Sequence, residues 1–408
     1  MNSVSIKDEN NILPATVLIL AGGTGGHIFP GLAVAETLRS RGVDVRWLGA
    51  RGAMEEKIVP AHGITLDTVT VYRLRGKGCV GAIKALVQII KATCQAVLIV
   101  RRYKPDAILS FGGFAAGPGG LAAFVLRIPL VVHEQNRAPG FTNTLLSRIA
   151  RRVLTGFPGA FCREEVVGNP IRQEIAHIAG PEERFAKRHG PMRLLILGGS
   201  QGAAILNQQV PIALAGLDHQ SVEVRHQCGA RWPEETRNIY VKLGVQASIT
   251  SFISDMTQAY QWADVVICRS GASTLAEICA VGVGSVLVPF AAAVDDHQTR
   301  NAEYLCAAGA AYLVRQNDGL AQGLQAIIQQ LLSRPAERLS MAMAARTLAK
   351  PAAASQISDI VLEECSHIPP GLGKIRSTDA KPDTVSSQSS CENNKTDKPK
   401  LHRHRCSF

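Results

Sequence analysis

With 408 residues, 46% hydrophobic and 5% aromatic, the chain is long enough for two domains with separate cores, which argues against a fibre or a wholly disordered chain. The net charge of +11 is uneven: residues 68–105 hold eight basic residues and no acid, and residues 366–408 hold eight basic and four acidic ones. A nucleic-acid protein would spread basic charge over its binding lobe and interleave aromatics, so no nucleic-acid partner is expected.

The N-terminus, Met1 to Pro14, carries Lys7, Asp8 and Glu9 without an apolar run, which argues against a secretory signal and places the catalytic part in the cytoplasm. The ten cysteines are scattered without a CxxC pair, so they read as reduced thiols rather than disulfides or zinc ligands. An apolar run, Val17 to Leu20, ends in Gly22-Gly23-Thr24-Gly25-Gly26-His27. That is a buried parallel strand whose glycines let the backbone turn tightly, with bare N–H groups facing an anion at the next helix start. The turn is neither a G-x-G-x-x-G dinucleotide fingerprint nor a Walker P-loop. It places His27 at a helix N-terminus, where the dipole favours neutral imidazole and suits a base, while helix capping or phosphate binding is the structural alternative.

Strand-like runs follow at Val45–Leu48, Ala107–Ser110 and Leu130–His133. Between the first two, Leu74 to Tyr103 mixes aliphatics such as Leu86, Val87, Ile89, Ile90, Val97 and Leu98 with basic flanks, which suits contact with an anionic membrane surface through residues 73–104. Ala107 to Leu126 has no charge over membrane-spanning length, but its five glycines and Pro118 favour a strand, a Gly-rich loop (Gly112, Gly113, Gly117, Gly119, Gly120) and a small-residue helix. His133-Glu134-Gln135-Asn136 then lies at a strand's carboxyl end, and Glu134 rivals His27 as a base.

A break near Val167-Gly168-Asn169-Pro170-Ile171-Arg172 and a polar connection from Gly180 to Pro191 lead to further runs at Leu194–Leu197, Val222–His226, Val265–Cys268 and Ser285–Val288. The first of these repeats the glycine turn as Gly198-Gly199-Ser200-Gln201-Gly202. After the third, Ser270-Gly271 opens a helix at Ala272 to Thr274, a seat for a diphosphate. Glu277, one turn in, either accepts both ribose hydroxyls or closes a capping box with Thr274. Paired Asp295 and Asp296 could bind a metal, but no D-x-D and no His or Cys cluster supports one.

The alternation predicts two Rossmann-like, doubly wound parallel-sheet α/β lobes with a cleft between them, over residues 15–165 and 166–348. Residues 349–365 read as one more helix, expected to pack back toward the first lobe, although composition alone does not place it. Residues 366–408, rich in Ser, Lys, Asn, Asp and Pro, are expected to be a disordered basic tail.

Together, Gly22 to His27 with Phe29-Pro30-Gly31, Trp47-Leu48-Gly49, Gly112-Gly113, His133 to Asn136, Gly168-Asn169-Pro170 with Arg172, Gly198 to Ala203 with Asn207, Ser270 to Glu277, and Asp296-His297-Gln298 with Asn301 resemble the MurG family of bacterial glycosyltransferases. The resemblance covers about Val17 to Cys365 and implies a GT-B fold with the acceptor on the first lobe and the sugar nucleotide mainly on the second. It implies inverting transfer of N-acetylglucosamine from UDP-N-acetylglucosamine to the 4-hydroxyl of undecaprenyl-diphospho-N-acetylmuramoyl-pentapeptide (lipid I), giving lipid II for peptidoglycan. No metal or other cofactor is implied.

The family's donor contacts fall on Thr24, Gly25, Gly26, Asn136, Arg172, Ser200, Ile253, Ala272, Ser273, Thr274, Leu275, Ala276, Glu277 and Gln298, with Glu277 on the ribose and Ile253 against the uracil. His27 is the favoured base, with Glu134 left open. A peripheral location on the cytoplasmic face of the inner membrane is implied, and any protein partners are expected among those of cell-wall synthesis. Two other readings keep the fold: a UDP-N-acetylglucosamine 2-epimerase, which has no need of the acid-free segment, and a non-catalytic membrane-bound sugar-nucleotide sensor, which would tolerate loss of His27.

Overall fold

The structure, a computed structural model, describes residues 14–71, 79–186, 188–218, 220–291 and 296–366. The first lobe runs β1 (Thr16–Ala21), α1 (Gly25–Ser40), β2 (Asp44–Ala50), α2 (Glu55–Ala61), β3 (Thr65–Val69), α3 (Cys79–Tyr103), β4 (Ala107–Gly112), α4 (Ala116–Leu126), β5 (Leu130–Glu134), α5 (Phe141–Leu146), β6 (Arg152–Thr155) and β7 (Glu165–Val166). Short helices α6 (Gln173–Ala176) and α7 (Pro181–Ala186) lead into the second lobe: β8 (Met192–Leu197), α8 (Ala204–Ala215), β9 (Val222–Gln227), α9 (Pro233–Lys242), β10 (Ser248–Thr250), α10 (Met256–Trp262), β11 (Val265–Cys268), α11 (Ala272–Val281), β12 (Gly284–Leu287), α12 (His297–Ala307), β13 (Ala311–Leu313), α13 (Leu320–Ser333) and α14 (Pro335–Thr347). The last element, α15 (Ala353–Ser366), follows.

Both sheets are parallel, in the orders β3-β2-β1-β4-β5-β6-β7 and β10-β9-β8-β11-β12-β13. Each reverses direction of growth once, between β1 and β4 and between β8 and β11. Crevices at the carboxyl ends of such strand pairs are where open α/β sheets bind ligands. Central strands buried on both faces explain their uninterrupted apolar runs: Val17 to Ala21 and Leu194 to Ile196 are fully enclosed.

Three expectations need correction. Gly117, Gly119 and Gly120 lie in α4, not in a loop. Their lack of a side chain is a packing matter, since a Cβ on Gly119 would come within 2.8 Å of Leu20 and one on Gly120 within 2.4 Å of Leu146. The stretch from Gly180 to Gly190 is not a mere polar connection, because it contains α7, whose Arg184 donates to the carbonyls of Val281 and Gly282 at the C-terminus of α11. The guanidinium there satisfies orphan carbonyls and complements the helix dipole. The capping box also fails, because α11 begins two residues before Thr274, with Gly271 as its N-cap.

α15 packs against α1 and β4 of the first lobe, burying Ile357, Val361 and Cys365 in that lobe's core. Ion pairs from Arg41 to Asp359 and from Arg151 to Glu364 fix it there. The N-terminal residues, residues 72–78 and the tail from residue 367 lie outside the described residues, so the expectation of a disordered tail falls there. No helix among the described residues is long and apolar enough to cross a membrane.

Two buried histidines brace the lobes. His133 donates from Nε2 to the Gly168 carbonyl (2.9 Å), tying β5 to the interlobe connection, and its Nδ1 takes a hydrogen bond from Gln135. His226 lies between the Tyr240 hydroxyl and Asn207. Burial lowers His133 from its ordinary 6.5 to about 4 and His226 to about 3. Both are therefore neutral when folded and titrate more readily when unfolded. Their stabilisation is complete above about pH 6.5 and is lost as pH falls toward those values, by roughly 2 kcal/mol each between pH 7 and pH 5. Urea unfolding at the two pH values checks this, and replacing either histidine with glutamine is expected to shrink the difference. Equal stability at both pH values would contradict it.

Candidate functional site

The glycine turns meet at the first switch point. The turn after β1 packs on the turn after β4 so closely that a Cβ on Gly113 would lie 2.2 Å from the Gly22 carbonyl oxygen, and Gly113 itself has φ +93°. Thr24 caps α1 in extended conformation, and Gly25, Gly26 and His27 form the helix's first turn. His27 is half-buried, and its Nδ1 lies 3.1 Å from the Gly22 carbonyl and 3.4 Å from Thr24 Oγ1. A carbonyl only accepts, so Nδ1 is the donor to Gly22, and in a neutral ring the lone pair then lies on Nε2. Among the described residues Nε2 has no hydrogen-bond partner.

Glu134 is arranged differently. It is 2% exposed, and its Oε1 accepts from the backbone and side-chain N–H groups of Asn136 (2.9 and 3.2 Å). Its Oε2 accepts from Gly140 N–H (3.1 Å) and Asn143 Nδ2 (2.9 Å). All four lone-pair positions are occupied, so the carboxylate organises the loop from Gln135 to Gly140. Neither Gly140 nor Asn143 stood out in the sequence.

That loop is held to the second lobe by Asn301, which is fully buried on α12. Its Oδ1 accepts from Arg137 N–H (2.9 Å), and its Nδ2 donates to Asn136 Oδ1 (3.1 Å) and to the Ser270 carbonyl (3.2 Å). Asn136 is thereby joined to the exit of β11. Ser270 Oγ donates to the Gln298 carbonyl, and Gln298 Oε1 accepts from Phe290 N–H. Asp295 lies outside the described residues, and Asp296 Oδ1 accepts from Thr299.

At the second switch point α11 presents the free N–H groups of Ala272, Ser273 and Thr274, and Ser273 Oγ is buried without a partner among the described residues. An orphan hydroxyl beside unsatisfied N–H groups fits a ligand rich in acceptors. Leu275 points into the core of the second lobe, so only its backbone can face a ligand, while Ala276 is half-buried. Glu277 accepts from Arg172 Nη2 (2.9 Å) and Nε (3.2 Å) on Oε1, and from the hydroxyl of the buried Tyr260 (3.0 Å) on Oε2. Burial pushes this carboxyl upward, and Arg172 and Tyr260 pull it back down. Tyr260 was missed because a tyrosine in a seven-residue helix looks like core. Ser200 is exposed in the turn after β8, and Ile253 packs at the edge of the second-lobe core.

Two parallel-sheet α/β lobes, each with a glycine-rich turn or a free helix N-terminus at its switch point, are the GT-B architecture. Residues 17–155 match the glycosyltransferase family 28 N-terminal domain, and residues 193–357 match its C-terminal domain. A UDP-N-acetylglucosamine--N-acetylmuramyl-(pentapeptide) pyrophosphoryl-undecaprenol N-acetylglucosamine transferase of Xanthomonas axonopodis pv. citri is 61% identical over 93% of this chain and 89% of its own. The protein of that name from Xylella fastidiosa is 59% identical over 85% of this chain and 96% of its own. The crystal structure of Acinetobacter baumannii MurG superposes with a TM-score of 0.76 at 37% identity, covering 86% of this chain and all of that one. The chain belongs to the MurG family of glycosyltransferases. A candidate 2-epimerase from Listeria monocytogenes shares the fold alone, at 13% identity and a TM-score of 0.59.

Proposed function

We infer that the chain transfers N-acetylglucosamine from UDP-N-acetylglucosamine to the 4-hydroxyl of N-acetylmuramoyl-pentapeptide on undecaprenyl diphosphate, converting lipid I to lipid II in peptidoglycan synthesis. The observation that carries this is 61% identity, over nearly the whole chain, to transferases named for that reaction. In this reading His27 Nε2 takes the proton of the acceptor hydroxyl as its oxygen attacks the anomeric carbon. The bond from that carbon to the diphosphate oxygen breaks, with inversion, and UDP leaves. The charge developing on UDP meets the N–H groups of Ala272 to Thr274 and Ser273 Oγ, which need no reorganisation as it forms, and Arg172 once the ribose has displaced it from Glu277. Glu277 receives the ribose hydroxyls and Ile253 lies against the base. Thr24, Gly25, Gly26, Asn136, Ser200 and Gln298 complete the donor site from both lobes. The hydrogen bonds that Glu134 accepts from Asn136, Gly140 and Asn143 favour His27 over it as the base in this reading.

Label from radioactive UDP-N-acetylglucosamine is expected in a lipid I analogue with EDTA present, since the diphosphate seat is built from N–H groups and a guanidinium. Donor binding without transfer, with or without magnesium, would return the epimerase and sensor readings.

The acceptor's lipid brings the first lobe to the cytoplasmic membrane face. α3 turns Ala92, Ala96 and Val100 inward and leaves Leu86, Val87, Ile90 and Leu98 exposed, with Lys91, Arg101 and Arg102 beside them. Arg73, Arg75 and Lys77 lie outside the described residues. On the neighbouring α4 and α5, Phe124, Val125 and Phe141 are also exposed. Large apolar side chains among cations suit an anionic bilayer surface. The protein is expected to sediment with anionic vesicles in preference to zwitterionic ones, and Leu86→Asp with Phe124→Asp is expected to abolish that while sparing transfer to a short-chain acceptor. Equal binding to both vesicle types would refute it.

A further inference from the structure

The carboxylate of Glu55, at the start of α2, is fully buried yet has no part in the chemistry described so far. It accepts the backbone N–H groups of Gly23 (3.0 Å) and Ala50 (2.8 Å), and among the described residues it forms no ion pair. Two glycines make room for it: a Cβ on Gly22 would lie 2.0 Å from its Oε1, and one on Gly49 would lie 2.6 Å from its Cγ. Burying a carboxylate without a cation costs several kcal/mol, so stability alone does not account for it. The second lobe shows what bracing such a turn requires. There the neutral amide of Gln227 accepts from Gly199 N–H (2.9 Å) and donates to the Gly199 carbonyl (3.0 Å). A charge is therefore dispensable for holding the turn.

The N–H that Glu55 holds and the carbonyl that His27 holds belong to one peptide group, the Gly22–Gly23 amide. We propose that Glu55 is a positioning residue for His27, acting through that peptide: carboxylate, amide and imidazole form a relay that fixes the Nδ1–H tautomer and supports the imidazolium formed during transfer. Negative charge on one side of the amide polarises it and makes its carbonyl a stronger acceptor on the other. The ring is thereby oriented as a carboxylate orients it in a catalytic triad, with a peptide interposed. Only one proton moves, from the acceptor hydroxyl to Nε2, and Glu55 keeps its charge throughout. The proposal rests on His27 being the base, but its ring tautomer can be read independently of that.

The test uses the full chain with 15N-labelled histidine and the variant Glu55→Gln, which keeps the shape, loses the charge and can accept only one of the two N–H groups. In the wild type the His27 resonances, assigned by their absence in His27→Gln, are expected to report the Nδ1–H tautomer at neutral pH. In Glu55→Gln a tautomer mixture is expected, with kcat down about tenfold and the KM for UDP-N-acetylglucosamine within twofold of wild type. A wild-type Nε2–H tautomer overturns the relay even if the variant fails to fold. A folded variant with unchanged tautomer and unchanged kcat overturns it as well. A changed tautomer with unchanged transfer upholds the relay and removes His27 from the role of base.

Discussion

His27→Ala is expected to lower transfer to lipid I by about 10²- to 10⁴-fold, the range that a positioned general base contributes, while UDP-N-acetylglucosamine still binds. The separation follows from where the imidazole stands. Its Nδ1 is committed to the Gly22 carbonyl, within the turn, and its Nε2 is left for a proton that belongs to the acceptor. In the proposed reading the donor is held by other groups: the start of α11, Arg172 and Glu277. Removing the ring therefore removes a transition-state interaction without dismantling the nucleotide site. Glu134, on the adjacent strand, is engaged by Asn136, Gly140 and Asn143, so it is not expected to take over. Single-turnover transfer beside equilibrium binding of labelled donor measures the two effects separately. Lost binding with normal turnover per bound donor would assign His27 to phosphate binding instead.

The lobes were legible because their central strands are buried on both faces and so appear as apolar runs followed by glycine turns. The edge strands were not: β3, β7, β10 and β13 are short and partly exposed, with sequences such as Ser248-Ile249-Thr250 that carry no apolar run. The glycine doublets at the strand ends were legible as tight turns, and the approach of Gly113 to the Gly22 carbonyl is one reason for them. What sequence could not supply was the set of residues that hold the turns in place. Glu55 and Gln227 are separated from their turns by about thirty residues, and both look like ordinary polar surface positions. Asn301 was visible in a polar run and in the family's motif, but not as a residue that joins the lobes. The capping box at Glu277 was likewise ruled out by helix register, which a sequence leaves uncertain by a residue or two.

Glu277→Ala is the variant expected to affect the donor most, raising the KM for UDP-N-acetylglucosamine about 10- to 100-fold, the worth of hydrogen bonds from two hydroxyls to a charged group. The ribose is remote from the bond that breaks, so the interaction is equal in ground and transition states, and kcat is expected to change little. The pocket is prepared for this: Tyr260 holds Oε2 from the buried side, and Arg172 occupies Oε1 from the cleft side. Arg172 is half exposed, so its pairing with Glu277 is a modest interaction that a nucleoside can displace. The displaced guanidinium is then free to turn toward the diphosphate, which links ribose recognition to support of the leaving group. A donor lacking the 2′- and 3′-hydroxyls is the matching control. Wild-type enzyme with that donor is expected to behave like Glu277→Ala with the natural one, and the variant is expected to be nearly indifferent to the change. An unaltered KM accompanied by a large loss of kcat would instead make Glu277 a structural partner of Arg172 and leave the ribose to another group.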